Sequence, residues 1–273
     1  MAAAVAVLVL YFIKLDDANT RIDDQQRQLQ EQQELIEKKE TFGTAMQDLM
    51  DTAGEFNGVL LTSIVPVGRY QVLASRAWGD RWDPRALDRD IADVRAESKD
   101  LEDLLSDASA ELGTNSSGST YEAVIDRLGG GYIASVVGDI DTLCEADVLG
   151  CVISNDPLTV NFNADENSAP YMSDWLRTGV AYHEYAHVLQ LMNPEATEIA
   201  LESFEGDDET MADCFSLTYL DGWTLDHRIW MNAYDYWDVD IGYGHTCNDV
   251  QRQAVRDWYG QLGFQLSPIT QRA

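Results

Sequence analysis

WLRTGVAYHEYAHVLQLM, residues 175–192, carries two of the chain's four histidines, His183 and His187, four positions apart around Glu184. Ser173 or Asp174 can cap a helix at the start of this stretch, and Asn193-Pro194 stops it. Residues at i and i+4 lie on one helix face a turn apart, so both imidazoles can reach a single ion. Leu176 and Val180 continue the same side and would bury the helix behind that ion. Zinc takes imidazole nitrogens at about 2.0–2.1 Å, and a catalytic site keeps one position open for water. Glu184, directly after the first ligand, can then take the water's proton and pass it to a leaving amine. The pattern is H-E-x-x-H, and it sets the expectation of one zinc per chain.

A third ligand should follow downstream. The extended form H-E-x-x-H-x-x-G-x-x-H is excluded, because Gln190 and Asn193 stand where it needs glycine and histidine. A second helix opens with Glu209-Thr-Met-Ala-Asp213, capped by Asp207 or Asp208. Glu209 and Asp213 are again four apart on one face. A ligand carboxylate beside a carboxylate that orients a histidine ring is a common division of labour at zinc sites. Glu209 is therefore the expected third ligand, and Asp213 the acceptor for the free N–H of His183 or His187. Glu198, Glu202 and Glu205 read as an acidic loop.

HEYAHVLQ (183–190) followed by ETMADCFS (209–216) resembles the bacterial neutral zinc metallopeptidase family, which pairs an H-E-x-x-H-x-x-Q helix with an E-x-x-A-D-C helix. The likeness runs from about Tyr132 to the C-terminus and takes in LTVNFNAD and HTCNDVQRQAVRDWYGQLGF. It implies a compact zincin domain of the Glu-ligand type, with His183, His187 and Glu209 as ligands and Glu184 as general base. The chain departs from the family at Ala186, where glycine is frequent, and residues 1–112 lie outside the resemblance.

Around this centre other candidates are arranged. His245, in GYGHTC, is a candidate donor to the oxyanion formed when water adds to a peptide carbonyl, and Tyr243 is another. His227 reads as a helix-surface or core residue. Leu158–Ala164 alternates apolar and polar residues as a strand does, and in related zincins an edge strand lies along the cleft to pair with extended substrate. Trp223, Trp230, Tyr234, Tyr236, Trp237 and Tyr243 form an aromatic cluster, read as core packing in preference to a cleft floor. Asp235, Asp238 and Asp240 lack the spacing of a calcium loop. Four cysteines, Cys144, Cys151, Cys214 and Cys247, suggest disulfides; nearness pairs Cys144 with Cys151 and leaves Cys214 with Cys247.

Charge bounds the function classes. Eighteen Lys and Arg against 48 Asp and Glu leave a net charge of −30, which excludes phosphate-backbone binding and favours cationic ligands and metals. Residues 1–112 carry 12 basic and 22 acidic side chains, and residues 113–273 carry 6 and 26. With 45% hydrophobic residues the chain can build a core.

The N-terminal run Ala2–Ile13 is uncharged but spans only about 18 Å as a helix, short of a bilayer's hydrocarbon. It is read as the distal end of a membrane anchor over 1–14, with a buried helix as the alternative. Leu15, Ile22, Leu29 and Ile36 recur every seven residues, while Ala18, Gln25, Gln32 and Lys39 leave the second seam polar, so residues 15–112 read as a helical stalk with weak coiled-coil character. A Gly/Ser/Thr-rich linker at 113–120 should separate the stalk from a catalytic domain at 121–273.

The expected architecture is α+β and mainly helical, a zincin-like domain of the Glu-ligand type behind a helical stalk. Its expected work is peptide hydrolysis outside the cytoplasm, on a membrane-anchored or secreted chain. The expected partners are a peptide or protein substrate, the membrane through the N-terminus, and further copies through the 15–40 helix, but no nucleic acid. The alternative is a non-catalytic envelope scaffold whose zinc is structural or vestigial.

Overall fold

The computed structural model describes residues 2–112, 118–144, 148–244 and 247–266, with residues 2–13 described by backbone alone. The described chain is α+β and mostly helical, with one three-stranded and one two-stranded sheet. It packs as two compact units: residues 1–52 with 66–99, and residues 53–65 with 100–273.

The first unit is built from α1 (Ala2–Gly54), α2 (Val67–Asp80) and α3 (Pro84–Glu111), of which α1 and α3 run on into the second unit. Arg69 pairs with Glu97, and Arg76 pairs with Asp90 and Asp93, so α2 and α3 run antiparallel. Tyr70, Leu73, Ala77, Leu87, Ile91 and Val94 are buried at helical spacing. The side chains of 14–34 are all exposed, Leu15, Ile22 and Leu29 among them. Among the described residues no helix is long and apolar enough to cross a membrane.

The division between units does not coincide with the expected linker at 113–120, of which 113–117 lie outside the described residues. Residues 53–65 and 100–112 belong to the second unit. Phe56 and Leu61 are buried there, Phe56 with its ring 5.8 Å from that of Tyr132, and Leu101 and Ala108 are buried further on. Composition gives no sign of this boundary because an unbroken helix, α3, carries the chain across it.

In the second unit α4 (Thr120–Gly129) precedes β1 (Ala134–Gly138), β2 (Gly150–Ile153), β3 (Asp156–Asn163) and the single turn α5 (Ala164–Asn167). β3 lies between the other two strands, parallel to β1 and antiparallel to β2. The alternating stretch LTVNFNA is thus the centre of its sheet, and the outer strands are β1 and β2. Alternation reports which face a side chain takes, not whether both backbone edges are paired. Val160 and Phe162 are fully buried, and Phe162 stacks on Tyr121 of α4 with ring centroids 3.9 Å apart.

Then come α6 (Asp174–Met192), α7 (Pro194–Leu201), α8 (Asp208–Tyr219), the hairpin of β4 (Asp226–Trp230) and β5 (Tyr236–Asp240), and α9 (Asp249–Gln261). α6 is central, packed against α4, α8 and the sheet, and it buries 11 of its 19 residues. A helix apolar on nearly every side is one the fold encloses. Ser173 caps its start by accepting from the Leu176 N–H. At its end the Asn193 amide donates to the carbonyls of Leu189 and Leu60 and accepts from the Thr62 N–H.

Of the aromatic cluster only Trp223 is core. Trp230, Tyr234, Tyr236, Trp237 and Tyr243 are exposed, because a two-stranded hairpin leaves much of its surface to solvent. Asp235 accepts from Asn232, and Asp238 pairs with Arg228, so the Asp235–Asp240 carboxylates do not converge. His227 sits on β4, half-buried beside Trp223, rather than on a helix.

Candidate metal centre

Three side chains from two helices meet in front of α6. His183 Nε2, His187 Nε2 and Glu209 Oε2 form a triangle with all three edges 3.0 Å. Among the described residues this is the one group of three or more His, Cys, Asp or Glu side chains that could hold a metal ion. Helix spacing places the histidines on one face of α6. Asp207, accepting from the Thr210 N–H, starts α8 so that Glu209 falls in its first turn, facing them. The imidazoles are 13% exposed and the Glu209 side chain 35%, so the triangle opens toward solvent on the carboxylate side.

What lies behind each histidine fixes its tautomer. Asp213, 2% exposed, accepts at Oδ2 from the Tyr243 N–H at 2.8 Å and at Oδ1 from His183 Nδ1–H at 2.9 Å. The sequence left open which ring Asp213 would hold, and it is that of His183. His187 is held by Gln190, the residue that excludes the third-histidine class and closes the H-E-x-x-H-x-x-Q pattern. Gln190 Nε2 donates to the Asp208 carbonyl at 2.9 Å, which turns its Oε1 toward His187 Nδ1 at 2.7 Å. A carbonyl oxygen only accepts, so the amide can turn no other way and His187 Nδ1 must carry the proton. Both Nε2 atoms are then bare in the neutral rings. With both rings neutral, two imidazole lone pairs and a carboxylate oxygen would converge, and a cation between them, a metal ion or a proton, relieves that.

The titration behaviour points the same way. Burial pulls the His183 imidazole down, but hydrogen bonds to Asp213 and Glu209 outweigh it and raise the pKa to about 10. Burial lifts Glu209, yet its hydrogen bonds to His183 and His187 win and hold it well below the carboxylate range. Without a metal the triangle therefore keeps a proton at its centre. Zinc fits the donor set: two nitrogens and one oxygen are its usual ligands, and tetrahedral bonds of 2.0–2.1 Å would space the donors about 3.3–3.4 Å apart, a few tenths beyond the triangle's edges.

Glu184 stands beside the triangle, 5% exposed, and among the described residues its Oε2 has no hydrogen-bond partner. Burial raises its pKa against the lowering pull of His183 and His187. A buried carboxylate oxygen without a partner is costly and calls for a reason. Gly150, at the start of the edge strand β2, passes so close that a Cβ there would lie 3.0 Å from Glu184 Oε1. The two face a cavity of about 270 Å³ walled by Val180, His183, Trp223, Leu225 and Ile241. At its far end Gly179 must be glycine, since a Cβ would overlap the Trp223 indole.

The loop after β5 closes on the same centre. Gly242 has φ 109°, and a Cβ on it would lie 2.6 Å from the Asp213 carboxylate, so glycine permits the Tyr243 N–H to reach Asp213. The Tyr243 ring stacks over His183 with centroids 6.0 Å apart. His245, the other oxyanion candidate, lies outside the described residues. The cysteines bracket the centre: Cys144 and Cys151 stand at disulfide distance with Cα atoms 6.3 Å apart, and Cys214 and Cys247 at 5.1 Å. Cys151 follows Gly150, and Cys214 follows Asp213.

Gln190, Gly150, Gly179 and the Tyr243 N–H were missed by sequence reasoning as working parts. Gln190 was accessible to it, three residues beyond His187 and on its face. The other three depend on contacts between distant elements. Compared with known proteins, the chain matches no family model, no curated protein and no solved structure.

Proposed function

We propose that this chain is a zinc-dependent metallopeptidase of the zincin type, with His183, His187 and Glu209 as ligands. The observation that carries this reading is the convergence of two imidazole nitrogens and a carboxylate oxygen beside a buried carboxylate oxygen that has no hydrogen-bond partner among the described residues. The family resemblance of HEYAHVLQ and ETMADCFS supports it. Bound there, zinc would supply Lewis-acid chemistry, drawing charge from a substrate carbonyl and making water acidic near neutral pH.

The chain's own groups would do the rest. Glu184 Oε2 takes the proton of the attacking water and returns it to the leaving nitrogen. Its raised pKa brings it closer to the range in which a carboxyl both accepts and gives up a proton. Asp213 and Gln190 hold the two rings so that Nε2 always faces inward. The cavity beside Glu184 receives a substrate side chain, and the open edge of β2 offers its backbone to an extended peptide. The Ala2–Ile13 run would attach the enzyme to a membrane surface, with its catalytic unit outside the cytoplasm.

The competing reading, a scaffold with structural zinc, calls for four protein ligands. Among the described residues three converge, which favours the enzyme. The test is zinc content and peptide turnover of the full chain, compared with Glu209→Ala and Glu184→Gln. One zinc per chain is expected, greatly weakened in Glu209→Ala and retained in Glu184→Gln without turnover. Zinc binding indifferent to Glu209, or full activity in Glu184→Gln, would overturn the proposal.

A further inference from the structure

A second depression lies on the opposite side of the Gln190–Asp208 hydrogen bond. It is a groove of about 530 Å³ running between the end of α6, α7 and the start of α8. Its floor is apolar, formed by Leu191, Pro194 and Leu201, and its rim is anionic: Glu198, Glu202, Glu205 and Asp208. All four rim residues are exposed, and none forms an ion pair among the described residues. The segment that builds the groove carries charge of one sign. From residue 178 to 227 the sequence holds no lysine or arginine against eleven Asp and Glu.

We propose that this groove binds a cationic peptide segment in which Lys or Arg residues flank an apolar one. The chemistry selects that occupant. The carboxylates ring an apolar floor instead of converging on a point, so they do not form a metal site. A purely polar cation would leave the floor of Leu191, Pro194 and Leu201 wet. Lysine and arginine cover apolar surface with their methylene stems and end in charges that reach a rim. The floor between takes a leucine-sized side chain. Because Gln190 is part of the wall, a segment lying here would also shield from water the hydrogen bond that orients His187.

The groove does not depend on the zinc reading, and the test keeps the two apart. The probe is a fluorescein-labelled nonapeptide of Lys, Leu and Ala. Its anisotropy is followed with the full-length Glu184→Gln chain, once in EDTA and once with zinc. Saturable binding is expected in both. Replacing Glu198, Glu202 and Glu205 together by Gln should weaken it about tenfold or more, as the loss of several exposed ion pairs implies. Neutralising Asp16, Asp17 and Asp23 on α1, equally exposed, should change it less than twofold.

A peptide with Ala for Leu should bind more weakly, and one with Glu for Lys should not bind. Glu205 sits at φ 57°, where glycine is at ease, so Glu205→Gly should melt no lower than the parent while still losing affinity. No binding, equal binding of the Glu peptide, indifference to the groove substitutions, or equal weakening by the α1 set would each overturn the proposal. Peptide binding by a chain that takes up no zinc would instead count against the peptidase alone.

Discussion

Replacing Asp213 by asparagine separates what the carboxylate does from the space it fills. Both of its oxygens accept, one from His183 Nδ1–H at 2.9 Å and one from the Tyr243 N–H at 2.8 Å. Asparagine is nearly the same shape but brings one acceptor and one NH₂. Whichever way the amide turns, one of the two donors faces another donor in a site only 2% exposed. If the amide oxygen faces Tyr243, the His183 ring loses its anchor, and its Nε2 lone pair need no longer point at the triangle.

Losing a hydrogen bond to a buried charged group costs about 1.5–3 kcal/mol. Removing such a partner from a metal-binding histidine typically costs about 10–100-fold in metal affinity. The assay is zinc competition against a chromophoric chelator at neutral pH, with thermal melts of the EDTA-treated chain alongside. Asp213→Asn should bind zinc about 10–100-fold more weakly and melt lower. A folded variant with zinc affinity within twofold of the parent would refute the role assigned to this carboxylate. A lower melting temperature with unchanged zinc affinity would mean that Asp213 holds the Gly242–Tyr243 loop and not the ring.

Metal-free chain should lose stability as pH rises. His183, raised to about 10 from an ordinary 6.5, contributes stability that is complete below pH 6.5 and is lost as pH climbs through 10, so melts in EDTA should fall across that window while zinc-loaded protein changes less. Glu184→Gln should raise the urea midpoint of the metal-free chain, because it removes a buried charge that folding disfavours; a lower midpoint would mean that the carboxylate has a stabilising partner. Replacing Cys214 and Cys247 by alanine opens a separation of 33 residues and should cost about 4 kcal/mol, against about 2 kcal/mol for Cys144 and Cys151 with a separation of 7, as read from urea unfolding.

The parts of this centre that could be read from the sequence are those governed by one helix. His183 and His187, or Glu209 and Asp213, share a face because 3.6 residues make a turn, whatever the rest of the chain does. Caps are equally local, and Ser173 and Asp207 start α6 and α8 where the spacing predicts. Everything relational was hidden. Asp213 could have held either histidine until the crossing of α6 and α8 chose His183. LTVNFNA shows a strand's alternation, but only the pairing of β1 and β2 on either side made it central and left Gly150 on an outer strand. The aromatic-rich segment 230–237 has the composition of a core and lies on an exposed hairpin, because burial depends on a partner sheet that is not there among the described residues.

Gln190 lies between these cases. Its spacing from His187 was visible, yet a glutamine can donate or accept, so spacing alone leaves the imidazole tautomer undecided. The Asp208 carbonyl settles it by taking the amide's N–H. That carbonyl belongs to the residue just before Glu209, so the turn that delivers the third ligand also fixes the tautomer of the second. A shift of α8 along its axis would therefore disturb two of the three donors together. For that reason the Asp207 cap, about 1 kcal/mol in an ordinary helix, matters more to metal binding here than to stability.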